Sequence, residues 1–408
     1  MQSRPDLLAP DAPSDAEVYQ LTTGDLPSSH IYMEAQIFAP DSRRFLLHES
    51  AHPHGSDKLD PKHRYLVCDL DDGCALRPLT ATTGATAPSV SPDGRFVYYF
   101  IDQTEPGGGS LTLVRVGLDG SDEVELLTID APLPGTDYRP SRLYPLSTIR
   151  ADGSKMALSC FLGDGHTADA PWGLMVFDLE NPAVELVLAG PSWCNMHPQY
   201  SRSSDPDLLR DILIQENHGN QVDATGQFTR LVGGAGADIH VIRDDGTNFR
   251  DMPWGRDGNE FCQGHQCWRG TSAWAITSTS TRAPAEQQLI ESLPTAASDH
   301  LGLTTPGGLR NDLSRSFAQP SFYHFATDIA GRRLISDTGS HDQGGRVFVA
   351  DLGTVGVDPL ANWTCLAHPK SSWAKEAHIH PFLSPDGAHG FFNSDESGVL
   401  QAYMLRNF

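Results

Sequence analysis

A turn signal recurs along this chain at nearly equal steps, and that regularity limits the fold more than any other feature. The segments are IFAPDSRRFLL with Asp41, SVSPDGRFVYY with Asp93, TIRADGSKMAL with Asp152, QYSRSSDPDLLRDILI with Asp207, HFATDIAGRRLI with Asp328 and HPFLSPDGAHGFF with Asp386. Successive steps are 52, 59 and 55 residues, then 121, then 58. The long step is a double one, with Gly270 of HQCWRGTSAWAI near its middle. The chain of 408 residues therefore holds seven units.

Each unit has the same grammar. A short strand enters a turn built on Pro-Asp-Gly or Asp-Gly. Glycine tolerates positive φ there, and aspartate hydrogen-bonds its own backbone. A β-rich strand leaves the turn, as in Arg95 to Phe100 or Arg333 to Ser336. A third strand runs into an Asp, as in RYLVCDLDDG, LTLVRVGLDG and GRVFVADLG, and a last strand such as VELVLAG follows. Four antiparallel strands per unit and seven units predict an all-β fold, a seven-bladed β-propeller. One blade cannot bury its own faces, whereas neighbours around a ring can. A pair of β-sandwiches is the alternative, and the even spacing argues against it.

The prediction is one propeller domain over residues 1–408. The C-terminal VLQAYMLRNF reads as the third strand of the last blade. The N-terminal segment near Glu17 to Thr22 is expected to add the fourth, so that terminal strands close the ring and protect its edges. Loop insertions fall at about 48–64 and at 292–317, the second in blade five or six. Long loops on rigid scaffolds often cover sites. Helical periodicity is weak and is expected only near Pro284 to Ser292, with the proline at a first helical position.

Composition narrows the partners. Lys and Arg number 29 against 52 Asp and Glu, a net charge of -23. Such a surface repels nucleic acid and anionic lipid. No apolar run approaches the roughly 18 residues that a membrane span needs. The N-terminal MQSRPDLLAPDAPSD has no apolar core of a secretory signal. Seven cysteines without a CxxC pair read as reduced thiols, so a cytoplasmic protein is expected.

The chemistry sits in the histidines. His197 lies in NMHPQY, His265 in GHQCW, His324 in FYHFATD, and His378 and His380 in AHIHPF. Equivalent positions in different blades face one another across the axis although they are far apart in sequence. In an extended strand, residues i and i+2 share a face. The His378-x-His380 pair with an imidazole from another blade makes a divalent-metal site, suited to zinc, iron or nickel, and to manganese if oxygens complete the shell. His265 is a separate candidate, since a neutral histidine can abstract a proton near pH 7. His218, in QENHGNQ, is either a sugar contact or a loop anchor.

These residues resemble the oligogalacturonate lyases, seven-bladed propellers that degrade short pectin fragments in the bacterial cytoplasm. His197-Pro198 is similar to a His-Pro segment of that family, and Asn217-His218-Gly219 to its Cys-His-Glu-Gly segment. Asp245-Gly246-Thr247-Asn248 is similar to its Asp-Gly-Ser-Asn strand end. His265-Gln266-Cys267-Trp268 resembles its His-Glu-Phe-Trp, and His324 its single histidine ahead of an Asp-Gly turn. His378 to Asp386 resembles its His-Pro-His-Pro-Ser-Phe-Ser-Pro-Asp. The resemblance implies His265 as general base and His324, His378 and His380 as ligands of Mn2+, with zinc, iron or nickel as alternatives. The implied reaction is β-elimination on a 4-linked hexuronate within a small acidic oligosaccharide.

Two positions depart from the family. Lys375 stands where the family has a glutamine, and it is read as a substrate-carboxylate contact, with neighbouring Glu376 as an additional metal ligand. Asp238, in Ala237-Asp238-Ile239-His240, stands where the family has an arginine. A loop arginine, Arg202 or Arg243, is then expected to substitute. With His197, His218 and Lys375, Arg202 completes the expected substrate contacts. The rival functions are a non-catalytic carbohydrate- or protein-binding propeller and a metal-dependent sugar hydrolase or isomerase.

Overall fold

The structure is a computed structural model. It describes the chain apart from residues 51–59, 231–235, 255–259, 282–285, 297–309, 340–343, 356, 358–360 and 375–376. Seven antiparallel blades form a ring. Their innermost strands are Ser28–His30, Ala85–Val90, Arg142–Ile149, Gln199–Tyr200, Phe261–Trp268, Phe322–Thr327 and Phe382–Leu383, which number the blades one to seven. Helix among the described residues is confined to short 3-10 turns, such as Pro5–Leu7 and Pro191–Trp193. None of the described helices is long and apolar enough to cross a membrane.

The turns behave as their sequences dictate. The Asp93, Asp152, Asp328 and Asp386 carboxylates accept backbone amides of Arg95, Ser154, Arg332 and Ala388 at 2.7–3.0 Å. Gly94, Gly153, Gly331 and Gly387 follow with φ between +65° and +77°. Gly270 is needed for a different reason. A Cβ there would lie 2.5 Å from the Gly331 backbone nitrogen of the next blade.

Glu17–Gln20 pairs with Gln401–Arg406, in the register Glu17↔Arg406 to Gln20↔Tyr403, and is the fourth strand of blade seven. The stretch expected to be helical is instead a strand over Gln288–Ser292, held between Ala275–Ser280 and Arg310–Asp312. Its five residues are all buried, and sheet pairing on both edges overrides weak helical propensity. The described start of the 292–317 insertion, Thr295–Ala296, joins the outer edge of blade four through Arg250–Asp251. The core lies between blades. Phe45, Phe382 and Phe391 pack at the junction of blades seven and one, and Phe100 meets Phe177 between blades two and three. Each such ring contributes about 1.5–3 kcal/mol by leaving water.

Two irregularities position the site. The innermost strands of blades two, three, five and six break register, at Thr86/Ser89, Leu143/Ser147, Cys262/Gln266 and Phe322/Phe325. Bulges of this kind re-aim side chains. In blade one the break is wider. His30 pairs with Leu47, and pairing resumes where the Leu46 amide donates to the Ile37 carbonyl at 3.1 Å. The six residues Ile31 to Gln36 leave the strand and cross the channel. Gln36 accepts the Val90 amide through its carbonyl and the Ile149 amide through its side chain. Glu34 reaches His197 of blade four at 2.8 Å. This segment is a plug that ties blade one to blades two, three and four inside the ring.

A candidate metal centre at one end of the channel

The histidines gather where the innermost strands begin. His324 sits in the bulge of blade six, and His378 and His380 lie just ahead of the inner strand of blade seven. The ligand atoms of all three lie within 4.8 Å of one another. The His324 and His380 rings are 4.2 Å apart, and each stands 5.4–5.5 Å from the His378 ring. His380 holds φ of +43°, a left-handed conformation that costs a non-glycine residue about 1–3 kcal/mol. His197 does the same at +50°.

The cluster suits a metal by its hydrogen bonds as well. His324 Nδ1–H donates to Asp337 Oδ2 at 2.7 Å, which leaves Nε2 as its ligand atom. Ligating histidines are typically oriented by a carboxylate in this way. Burial pushes the Asp337 carboxyl up, while the backbone amides of His324 and His380 and the charge of His378 pull it down. Burial and the neighbouring His378 and His197 hold His324 well below the ordinary range. Neutral imidazole is the form that binds a cation. Three imidazoles and an orienting carboxylate therefore fit a divalent ion.

His265 comes from the blade-five bulge, beside Gly264 with φ of +90°. Its ring is 4.7 Å from that of His324. Burial first, then the histidines 324, 197 and 378, lower its pKa well below 6.5. Its Nδ1 is buried without a hydrogen-bond partner among the described residues. A neutral ring with a free lone pair, beside a cation site, can accept a proton.

The other expected contacts are scattered. Both nitrogens of His197 are engaged. Nδ1–H donates to Glu34 Oε2, and the Tyr144 hydroxyl donates to Nε2, both at 2.8 Å. His197 thus ties blades one, three and four together rather than presenting a free nitrogen. His218 directly follows the second strand of blade four, Asp211–Asn217. Its Nε2 is 3.0 Å from Asp238 and 3.6 Å from Glu216. Those three form a second group with ligand-like spacing. Lys375 and Glu376 lie outside the described residues.

Arg202 is not at this end at all. It follows the inner strand of blade four, where its guanidinium donates to the Thr327 carbonyl at 3.1 Å. Thr327 ends the strand Phe322–Thr327, three residues beyond His324. Arg202 thus lines a cavity that shares no residue with the cluster of His324, His378 and His380. Sequence reading missed Asp337, Glu34, Tyr144 and also Trp373, whose ring stacks 5.7 Å from His324 and 4.8 Å from His378.

The fold and cluster define a seven-bladed propeller with a histidine-lined mouth. No model of a known family matches the sequence, and no curated protein matches it. Solved structures do match. An oligogalacturonate lyase in complex with manganese aligns at TM-score 0.70 and 17% identity, over 100% of this chain and 96% of its own. An oligogalacturonate lyase from Vibrio parahaemolyticus aligns at TM-score 0.68 and 15% identity, over 100% and 97%. A prolyl endopeptidase aligns at 0.54 and 12% over 95% of this chain but only 50% of its own length. At these identities the likeness establishes the fold, which is that of the oligogalacturonate lyase propellers.

Proposed function

We propose that this propeller is a metal-dependent lyase that cleaves small uronate-containing oligosaccharides by β-elimination. The observation that carries the reading is the meeting of His324, His378 and His380, with His265 4.7 Å from His324 ring to ring. Its likeness to an oligogalacturonate lyase in complex with manganese supports the class of substrate and suggests manganese as the ion.

His324, His378 and His380 would hold the ion. When bound, a divalent cation supplies Lewis-acid polarisation of the C6 carboxylate, which acidifies the C5 proton. His265 Nδ1 takes that proton. Its electron pair forms the C4–C5 double bond as the C4–O bond breaks, and the leaving oxygen departs with the preceding sugar. No water is consumed. Asp337 fixes the tautomer of His324, and the Glu34–His197–Tyr144 chain keeps the mouth rigid beside the reacting centre.

Asp238 favours a second reading. Where the resemblance calls for an arginine, this chain pairs an aspartate with His218 at 3.0 Å. A propeller that binds a sugar without cleaving it fits that change. The test is incubation of the manganese-loaded protein with galacturonate and other hexuronate oligomers, following ultraviolet absorbance of the unsaturated product. Elimination that disappears in His265→Gln supports the lyase. Retained sugar binding with no unsaturated product from any oligomer establishes the binding propeller.

A further inference from the structure

The end of the channel opposite the histidines holds a cavity of about 310 Å³. Blades two, three, six and seven contribute the ends of their inner strands and the turns that follow, blade one contributes residues of the plug and the segment after it, and blade four contributes Arg202. Met33, Ile37, Phe38, Val90 and Ile149 give it apolar walls. Its volume is at the small end of the roughly 300–1,000 Å³ typical of ligand pockets.

Arg202 is the one cation in that lining. Among the described residues it makes a single hydrogen bond, to the Thr327 carbonyl, and no ion pair. Asp328 acts on it only through space, while its Oδ1 accepts the Arg332 and Arg333 amides at 2.7 and 2.9 Å. Blade five shows the contrast. Arg269, at the corresponding strand end, is fully buried and turns outward to pair with Glu291 and the Gly331 carbonyl. One arginine is thus neutralised by the fold and the other is left facing a cavity.

A guanidinium without a carboxylate partner in an apolar enclosure costs desolvation. A planar anion able to accept its paired N–H groups offsets that cost. The walls, by contrast, offer little to a ligand that is polar all round. We propose that this cavity is a second ligand site, for a compact organic monocarboxylate with an apolar body, whose carboxylate meets Arg202 while the body lies against Ile37, Val90 and Ile149. The site is independent of the lyase reading. Its lining shares no residue with the histidine cluster, and an anion is drawn to it although the chain as a whole is acidic.

The experiment titrates benzoate and hexanoate into the full-length protein by calorimetry and by thermal unfolding, with benzamide and inorganic phosphate as controls. Saturable binding of a carboxylate is expected, with benzamide and phosphate at least tenfold weaker. Arg202→Met and the cavity-filling Ala151→Leu should each weaken it at least tenfold, and His380→Ala should leave it unchanged. Ligand-free Arg202→Met should melt no lower than the wild type, since it removes an unpaired charge. Arg202→Lys, which keeps the charge but not the fork, should bind in between. The proposal is overturned if neither carboxylate binds, if Arg202→Met binds as well as the wild type, if phosphate binds more tightly, or if His380→Ala abolishes binding.

Discussion

Asp337 grips His324 at two points, accepting its backbone amide at 2.9 Å through Oδ1 and its ring Nδ1–H at 2.7 Å through Oδ2. The two residues face each other across the bulge where the inner strand of blade six breaks register with its neighbour. A carboxylate so placed sets the ring's rotation and its tautomer together. Asp337→Asn should therefore lower divalent-metal affinity by about 10–100-fold without removing a ligand. Metal titration of Asp337→Asn beside His380→Ala is the measurement. Equal affinity in Asp337→Asn and wild type would sink the positioning role.

His265 should separate chemistry from metal binding. Removal of a general base typically costs about 10²–10⁴ in rate. His265→Gln should lose that factor in turnover of an oligouronate while its metal content stays that of the wild type. Loss of metal in parallel with activity would instead make His265 a ligand.

The legibility of this chain in its sequence varies by element. The blades were readable because four of the seven turns pair an aspartate that caps its own backbone with a glycine at positive φ, as Asp93-Gly94 and Asp386-Gly387 show. His378 and His380 were readable because an i, i+2 spacing puts two ligands on one face. The plug was not. IYMEAQ, from Ile31 to Gln36, has the look of a strand continuing, and only its contacts with Val90, Ile149 and His197 pull it across the channel. Asp337 was hidden for a related reason, since it reads as one more strand-end aspartate, whereas it lies within the strand Arg333–Thr338. Gln288–Ser292 is buried on both faces, so no period-two signal survives to mark it as a strand.

Arg269 locks blades five and six. Its guanidinium pairs with Glu291 and donates to the carbonyls of Gly331 and Gly353, and both members of the ion pair are fully buried. Removing one partner of a buried pair strands the other charge. Arg269→Ala should cost about 3–5 kcal/mol of stability. Replacing both partners together, as Arg269→Met with Glu291→Leu, should cost less than either single change to alanine. Urea unfolding of the three variants decides this, and additive losses would show that the pair is not coupled.

His30 makes stability depend on pH. Its ring is fully buried among Phe45, Phe382 and Phe391. Nε2–H donates to the Tyr403 carbonyl at 2.9 Å, and Nδ1 has no partner among the described residues. Burial lowers its pKa from 6.5 to about 3, with the Tyr403 carbonyl pulling weakly the other way. The ring is therefore neutral in the folded protein at pH values where it is already protonated in the unfolded chain. Above pH 6.5 both states are neutral and His30 has no pH effect. As pH falls below 6.5 the unfolded state binds the extra proton, and stability is lost at about 1.4 kcal/mol per pH unit until the folded pKa is reached. The buried His265 and His324 of the metal-free protein act in the same direction. His30→Gln should flatten the slope of unfolding free energy between pH 6.5 and about pH 4.5 by that single-proton amount, whatever its stability at neutral pH. Parallel slopes for variant and wild type would mean that His30 is protonated in the folded core or exchanges protons by local opening.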